Sequence, residues 1–127
     1  VTTAVAIVAL ERDRVLLIRS RKRSGSVEIP CGGLRPDESV FEGAARELWE
    51  ETGLIAHAWH ALPLAHKAVR GHHVAVLWLQ RWRGTLRAGD DAEAVFFGDP
   101  GWLREGSHPE DYDTVIRAMD RRKVAGQ

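Results

Sequence analysis

The chain has 127 residues, 44% hydrophobic and 28% charged, which suffices for one packed core, and residues 1–127 are read as a single domain. Eighteen Lys and Arg balance eighteen Asp and Glu, and a formal charge of zero argues against a protein that coats a nucleic-acid polymer. One cysteine excludes an intramolecular disulfide framework, while no apolar run reaches the length of a membrane span and no signal peptide is visible, so a cytoplasmic location is expected.

No internal repeat, low-complexity run or linker interrupts the order of elements. Residues 3–10 and 15–20 are apolar runs separated by Glu11-Arg12-Asp13-Arg14, the pattern of a hairpin with a charged turn. Residues 27–29 read as a short strand leading into a glycine loop. A helix is expected over residues 40–52, because Ser39 and Glu42 make a capping box and Gly53 follows Thr52 as the terminating residue, with Leu54 as the apolar contact beyond it. Phe41, Ala44, Ala45 and Leu48 give that helix an apolar stripe for the core. Gly43 interrupts it; a mid-helix glycine costs roughly 1 kcal/mol relative to alanine, and its place one turn before Glu47 is read as keeping the acidic surface low for a metal ion or phosphate. Residues 55–62 and 72–82 are two further strands. The second is apolar on both faces, Val74, Val76 and Trp78 against Ala75, Leu77 and Leu79, and is therefore expected to be central. Residues 94–97 close the sheet, and a final helix over residues 109–124 presents Tyr112, Val115, Ile116 and Met119 to the core. Strands on both sides of one helix, with another helix at the end, predict an α/β sandwich on a mixed β-sheet.

The segment from residue 31 to 54 carries the chemistry. Its frame is Gly32, Glu38, Arg46-Glu47-Leu48, Glu50-Glu51 and Gly53-Leu54. Glu47, Glu50 and Glu51 stand at i, i+3 and i+4, so they share one helix face within a turn. Like charges so placed repel by a few tenths of a kcal/mol per pair unless something positive sits between them. Hard oxygen donors without a Cys or His pair suit Mg²⁺ or Mn²⁺, and Mg²⁺ commonly rests on a few carboxylates plus the phosphates of its substrate. The motif therefore points to phosphate chemistry.

This frame resembles the signature of the Nudix hydrolases, with every defining position filled. The resemblance implies a Nudix-type α/β/α sandwich around a mixed β-sheet. It further implies a metal-dependent hydrolase that cleaves the pyrophosphate linkage of a nucleoside diphosphate derivative by attack of an activated water on phosphorus. By the same resemblance Glu47, Glu50 and Glu51 bind Mg²⁺ or Mn²⁺ and Arg46 orients them by ion pairing, with Glu50 in reach at i+4. Glu38 adds charge from the loop, and Gly32 lets the backbone turn under the pyrophosphate, with Gly33 beside it. Glu93, in the Asp90-Asp91-Ala92-Glu93 run just before a strand, is the candidate for an additional acid. Cys31, Asp37 and Val27 depart from the glycine, glycine and tryptophan usual at those positions, and none of these changes removes a ligand. Small size favours a nucleoside triphosphate or modified nucleotide as substrate. A nucleotide-binding sensor of the same fold is the alternative, although such a module is expected to have lost one or more of the acids this chain keeps.

Other features have a functional and a plain reading. Arg19, Arg21, Lys22 and Arg23 precede the glycine loop, and Arg21 and Arg23 are candidates for phosphate contact, though basic loops are commonly just solvated. His66, His72 and His73 lack a Cys partner or a helical His pair and read as surface residues. Trp59, Trp78 and Trp82 could stack on a base, but core packing is the commoner role. Cys31 has no flanking base and reads as structural. The expected partner is a small nucleotide, with neither a nucleic-acid polymer nor a membrane, and a homodimer is compatible with the sequence.

Overall fold

The computed structural model describes residues 1–126. Its strands are β1 (Ala4–Glu11), β2 (Arg14–Ser20), β3 (Val27–Glu28), β4 (Cys31–Gly33), β5 (Ile55–Trp59), β6 (Ala65–Val69), β7 (His72–Arg83) and β8 (Ala92–Gly98). Helix α1 (Val40–Thr52) follows β4, and helix α2 (Asp111–Val124) closes the chain after a short 3₁₀ turn at Pro100–Glu105. The strands form one mixed sheet in the order β3-β2-β1-β7-β5, with β4 added to β1, β6 to β7 and β8 to β2.

Period-two alternation explains the layers. β1 and β7 run parallel and in register from Ala4 opposite Val74 to Ala9 opposite Leu79, so each sends successive side chains to opposite faces. Val5, Ile7, Ala9, Ala75, Leu77 and Leu79 face Ala44 and Leu48 of α1 in one apolar cluster. Ala6, Val8, Leu10, Val74, Val76 and Trp78 face Val115, Ala118 and Met119 of α2 in another. A helix on each face covers both sides, which is why β7 is apolar on both faces from Val74 to Leu79, and the α/β/α sandwich expected from the sequence is the one observed. Phe41 does not complete the α1 stripe: it stays 37% exposed and leans on Trp59 at 6.0 Å between ring centroids.

Three elements were not legible in the pattern. β4 is a strand where a glycine loop was expected, pairing antiparallel with Ala4, Val5 and Ala6 of β1. β6 pairs with β7 across a tight turn at Arg70 and Gly71, both in the left-handed region with φ of 49° and 83°, the geometry that joins twisted strands without splaying them. The 3₁₀ turn begins at Asp99, whose carboxylate accepts from the Gly101 N–H at 2.7 Å.

Candidate active site

Helix α1 is held at both ends, which fixes the rotation of its acidic face. The Ser39 hydroxyl accepts from the Glu42 N–H at 3.1 Å and the Glu42 carboxylate accepts from the Ser39 N–H at 2.9 Å, the reciprocal pairing of a capping box. At the other end Gly53, with φ of 77°, donates to the Trp49 carbonyl at 3.0 Å. The fully buried Thr52 adds a second lock: its hydroxyl donates to the Leu48 carbonyl at 2.6 Å and accepts from the Leu54 N–H at 3.1 Å.

Between α1 and β4 lies a cleft of about 680 Å³ lined by Glu47, Glu50 and Glu51, by Cys31, Gly32 and Gly33, by Lys22 and Arg23, and by Asp90 and Asp91. At Gly32 a Cβ would overlap the Glu47 carboxylate, so glycine lets that carboxylate lie against β4 in its present position. Gly43 serves a different purpose from the one its position suggested. It is buried, and a Cβ would overlap the Leu34 side chain and crowd Glu38 at 3.2 Å, so glycine lets the loop carrying Leu34 and Glu38 lie on the helix rather than lowering the acidic surface.

Arg46 organises one side of the cluster. Its Nε and Nη2 donate to Glu38 at 2.6 and 2.8 Å, its Nη1 to Glu47 at 2.9 Å and Glu50 at 3.0 Å, and its Nη2 also to the Gly33 carbonyl at 3.0 Å. One guanidinium thus ties the loop, β4 and two carboxylates of α1 together, a planar fork suited to bidentate partners. The pairing with Arg46, aided by the Arg35 N–H, holds the Glu38 carboxyl at about 2.

Glu51 sits on the other side and has no cation. Its Oε1 accepts weakly from the Cys31 N–H at 3.4 Å, and its Oε2 is buried with no hydrogen-bond partner among the described residues. Burial raises its pKa well above the ordinary carboxyl range, and the neighbouring Glu47 carboxyl pushes the same way. Burial also pushes the neighbouring Cys31 thiol up to about 12, with Glu51 and Glu28 adding to it, so Cys31 is a neutral thiol rather than a nucleophile. Among the described residues no three His, Cys, Asp or Glu side chains are already drawn together as a coordination shell. The donors nevertheless fit a hard divalent cation: all are carboxylate oxygens, one of them is buried and unsatisfied, and the glycine opposite Glu47 leaves the backbone low.

The structure brings Glu47, Glu50, Glu51, Gly32, Gly33 and Arg23 to one cleft. It does not bring three other expected residues there. Glu38 is engaged by Arg46, Arg21 is exposed, and Glu93 is exposed on β8 while Asp90 and Asp91 of the same acidic run line the cleft. His72 touches the Thr3 hydroxyl at 3.1 Å, Trp78 packs between His60 and Arg121, and Trp82 stacks on Phe97. These aromatic residues pack against the protein itself.

Sequence reasoning passed over Glu28, which is 0% exposed and bound by the Arg23 guanidinium. A second cavity of about 400 Å³ lies across β4 and shares Arg23, Cys31, Gly32 and Gly33 with the cleft. Its far wall carries Lys67, which donates to Asp111 at 2.7 Å and Glu110 at 3.3 Å. Burial raises the Asp111 pKa, opposed by the Lys67 ammonium.

Comparison with known proteins agrees with this architecture. A family model described as NUDIX domain matches residues 1–118. A MutT-like protein of Streptomyces ambofaciens is 31% identical over 98% of this chain and 79% of its own length. An ADP-ribose pyrophosphatase of Methanocaldococcus jannaschii is 37% identical over 74% of this chain and 61% of its own, so the chain spans less than two thirds of that relative. The crystal structure of a NUDIX-family hydrolase from Clostridium perfringens superposes with a TM-score of 0.75 over 94% of this chain and 97% of that one, at 15% identity, a likeness of fold. The chain belongs to the Nudix hydrolase family.

Proposed function

We propose that this chain hydrolyses the diphosphate bridge of a nucleoside diphosphate derivative, with Glu47, Glu50 and Glu51 holding Mg²⁺ or Mn²⁺. The observation that carries the reading is the buried, partnerless Oε2 of Glu51 beside two further carboxylates of the same helix face. A buried carboxylate oxygen left without a partner costs about 1–3 kcal/mol or more, and a cation placed there removes that penalty.

When bound, the divalent ion supplies charge neutralisation for the diphosphate and acidifies a water molecule for attack on phosphorus. The chain's own residues do the rest. Arg46 fixes the carboxylates of Glu47 and Glu50 before substrate arrives, so little reorganisation is needed during reaction. A cleft carboxylate takes the proton released by the attacking water. Gly32 allows the phosphates to approach the β4 backbone, and Lys22 and Arg23 face them from the opposite rim. The cavity across β4 offers room for the group joined to the diphosphate, within the size range of small-molecule sites.

The test is a panel of nucleoside triphosphates, ADP-ribose and dinucleoside polyphosphates with Mg²⁺, resolving phosphate, pyrophosphate and monophosphate products, run beside Glu50→Gln and Glu51→Gln. Turnover by the parent and its loss in the variants is expected. Turnover of none by the parent would favour a ligand-binding module, and full activity in both variants would reject the metal-site assignment.

A further inference from the structure

The charged pair formed by Arg23 and Glu28 has no role in the reading above beyond a basic rim. Glu28 lies on the two-residue strand β3, paired with Ile18 of β2, and its side chain is buried. A buried carboxylate is tolerated only when paired and hydrogen-bonded. The pairing is thorough: Arg23 Nε donates to Oε2 at 2.9 Å and to Oε1 at 3.0 Å, and Arg23 Nη2 also donates to Oε1. This hydrogen bonding raises the Arg23 pKa. The Arg23 backbone is fixed as well, its N–H donating to the Ser20 hydroxyl at 3.3 Å.

Two facts turn this pair from packing into machinery. First, Arg23 is one of four residues that line both cavities, together with Cys31, Gly32 and Gly33, so its guanidinium stands where the cleft passes over β4 into the second cavity. Second, Glu28 engages only one edge of the fork. Nη1 takes no part in the pair, and the Arg23 side chain remains 32% exposed while that of Glu28 is 1% exposed. An arginine with one edge clamped from behind presents its remaining N–H groups in a fixed direction, which is what planar recognition of a phosphate oxygen requires.

We propose that Glu28 is a positioning residue that aims Arg23 at a phosphate oxygen lying astride β4, between the acidic cleft and the second cavity. The inference rests on the proposed function and adds the path of the ligand: diphosphate on the Glu51 side of β4, the attached group on the Lys67 side, and the Glu28-held guanidinium at the crossing. Charge supports the assignment. Three of the four α1 residues that line the cleft, Glu47, Glu50 and Glu51, are acidic, so a polyanion crossing there needs a donor that cannot swing away to them.

The test measures binding of α,β-methylene-ADP, a diphosphate whose bridge resists hydrolysis, by calorimetry with and without Mg²⁺, in the parent, Glu28→Gln, Arg23→Ala and the double variant, each with its thermal unfolding curve. Glu28→Gln and Arg23→Ala are each expected to weaken binding about tenfold, and the double variant to bind no worse than either, because both changes disable one device. If Glu28→Gln does not fold, Glu28→Asp keeps the charge but withdraws it by one methylene, and weaker binding is again expected. A folded Glu28 variant that binds as tightly as the parent, or losses that multiply in the double variant, would overturn the inference while leaving the proposed function standing. A parent protein that binds neither this ligand nor any nucleotide of the activity panel would overturn both.

Discussion

The two flanks of the acidic cleft are built on opposite principles. Around Arg46 every carboxylate is answered: Glu38, Glu47 and Glu50 share one guanidinium, and the loop, the helix and β4 are joined through it. Around Glu51, less than two helical turns away, a buried carboxylate has one long hydrogen bond and one oxygen with none. The same residue type on the same helix is held in place by a guanidinium on one flank and left unfinished on the other. The lesson is that an acidic cluster is best read by asking which oxygens lack partners, because those are the ones a ligand must complete.

This contrast can be broken most sharply at Glu51. Glu51→Gln keeps shape and removes charge; activity with Mg²⁺ is expected to fall by roughly 10²-fold or more, the scale of losing a central electrostatic group, while metal-free thermal stability rises, because an amide carries no ionisation penalty. Stability and activity moving down together would place Glu51 among the structural acids. Arg46→Ala attacks the other flank. It leaves three partly exposed carboxylates without their cation, and unfolding in urea should show a clear loss of stability; no measurable loss would mean that the network is solvent-screened and unimportant.

Gly43→Ala probes how the Arg46 flank is seated. The gain in helix propensity is roughly 1 kcal/mol, whereas forcing a methyl into the Leu34 contact costs about 1–3 kcal/mol, so a net destabilisation of about 1 kcal/mol is expected with kcat/KM close to the parent's. A loss of activity without loss of stability would restore the reading of Gly43 as a surface-lowering residue. The smallest expected effect is a pH dependence. Because the folded pKa of Glu51 is raised above its unfolded value of 4.5, its contribution to metal-free stability is complete below that pH and is lost as pH rises through the folded value. A divalent cation favours the deprotonated form, so the rise in Tm produced by saturating Mg²⁺ should grow with pH above 4.5, by a few degrees. A shift independent of pH would place the cation away from Glu51.

Much of this molecule was legible in the sequence, and unevenly so. The acidic helix could be placed because cap, periodicity and terminator agree: Ser39 with Glu42, Ala44 with Leu48, and Gly53. β7 could be recognised as central because both of its faces are apolar. β6 was passed over because Ala65-His66-Lys67-Ala68-Val69 has weak strand propensity and becomes a strand through its pairing with β7. Within the site, Arg46 with Glu50 followed from helical spacing, but the capture of Glu38 by the same arginine depends on how the loop folds back over Gly43. Glu28 was invisible for a related reason. A carboxylate in a short strand reads as solvated until the turn that carries Arg23 is seen to close over it. The choice of Glu93 over Asp90 and Asp91 likewise turned on strand direction, since entry into β8 leaves Glu93 exposed and the two aspartates on the cleft.

The most direct test is a Mn²⁺ titration followed by electron paramagnetic resonance, in the presence of α,β-methylene-ADP, on the parent protein and Glu51→Gln. Saturable binding by the parent that is weakened at least tenfold in the variant is the predicted result. Equal binding by both, or none by the parent, would contradict the assignment of the unpaired Glu51 oxygen as the place where the cation sits.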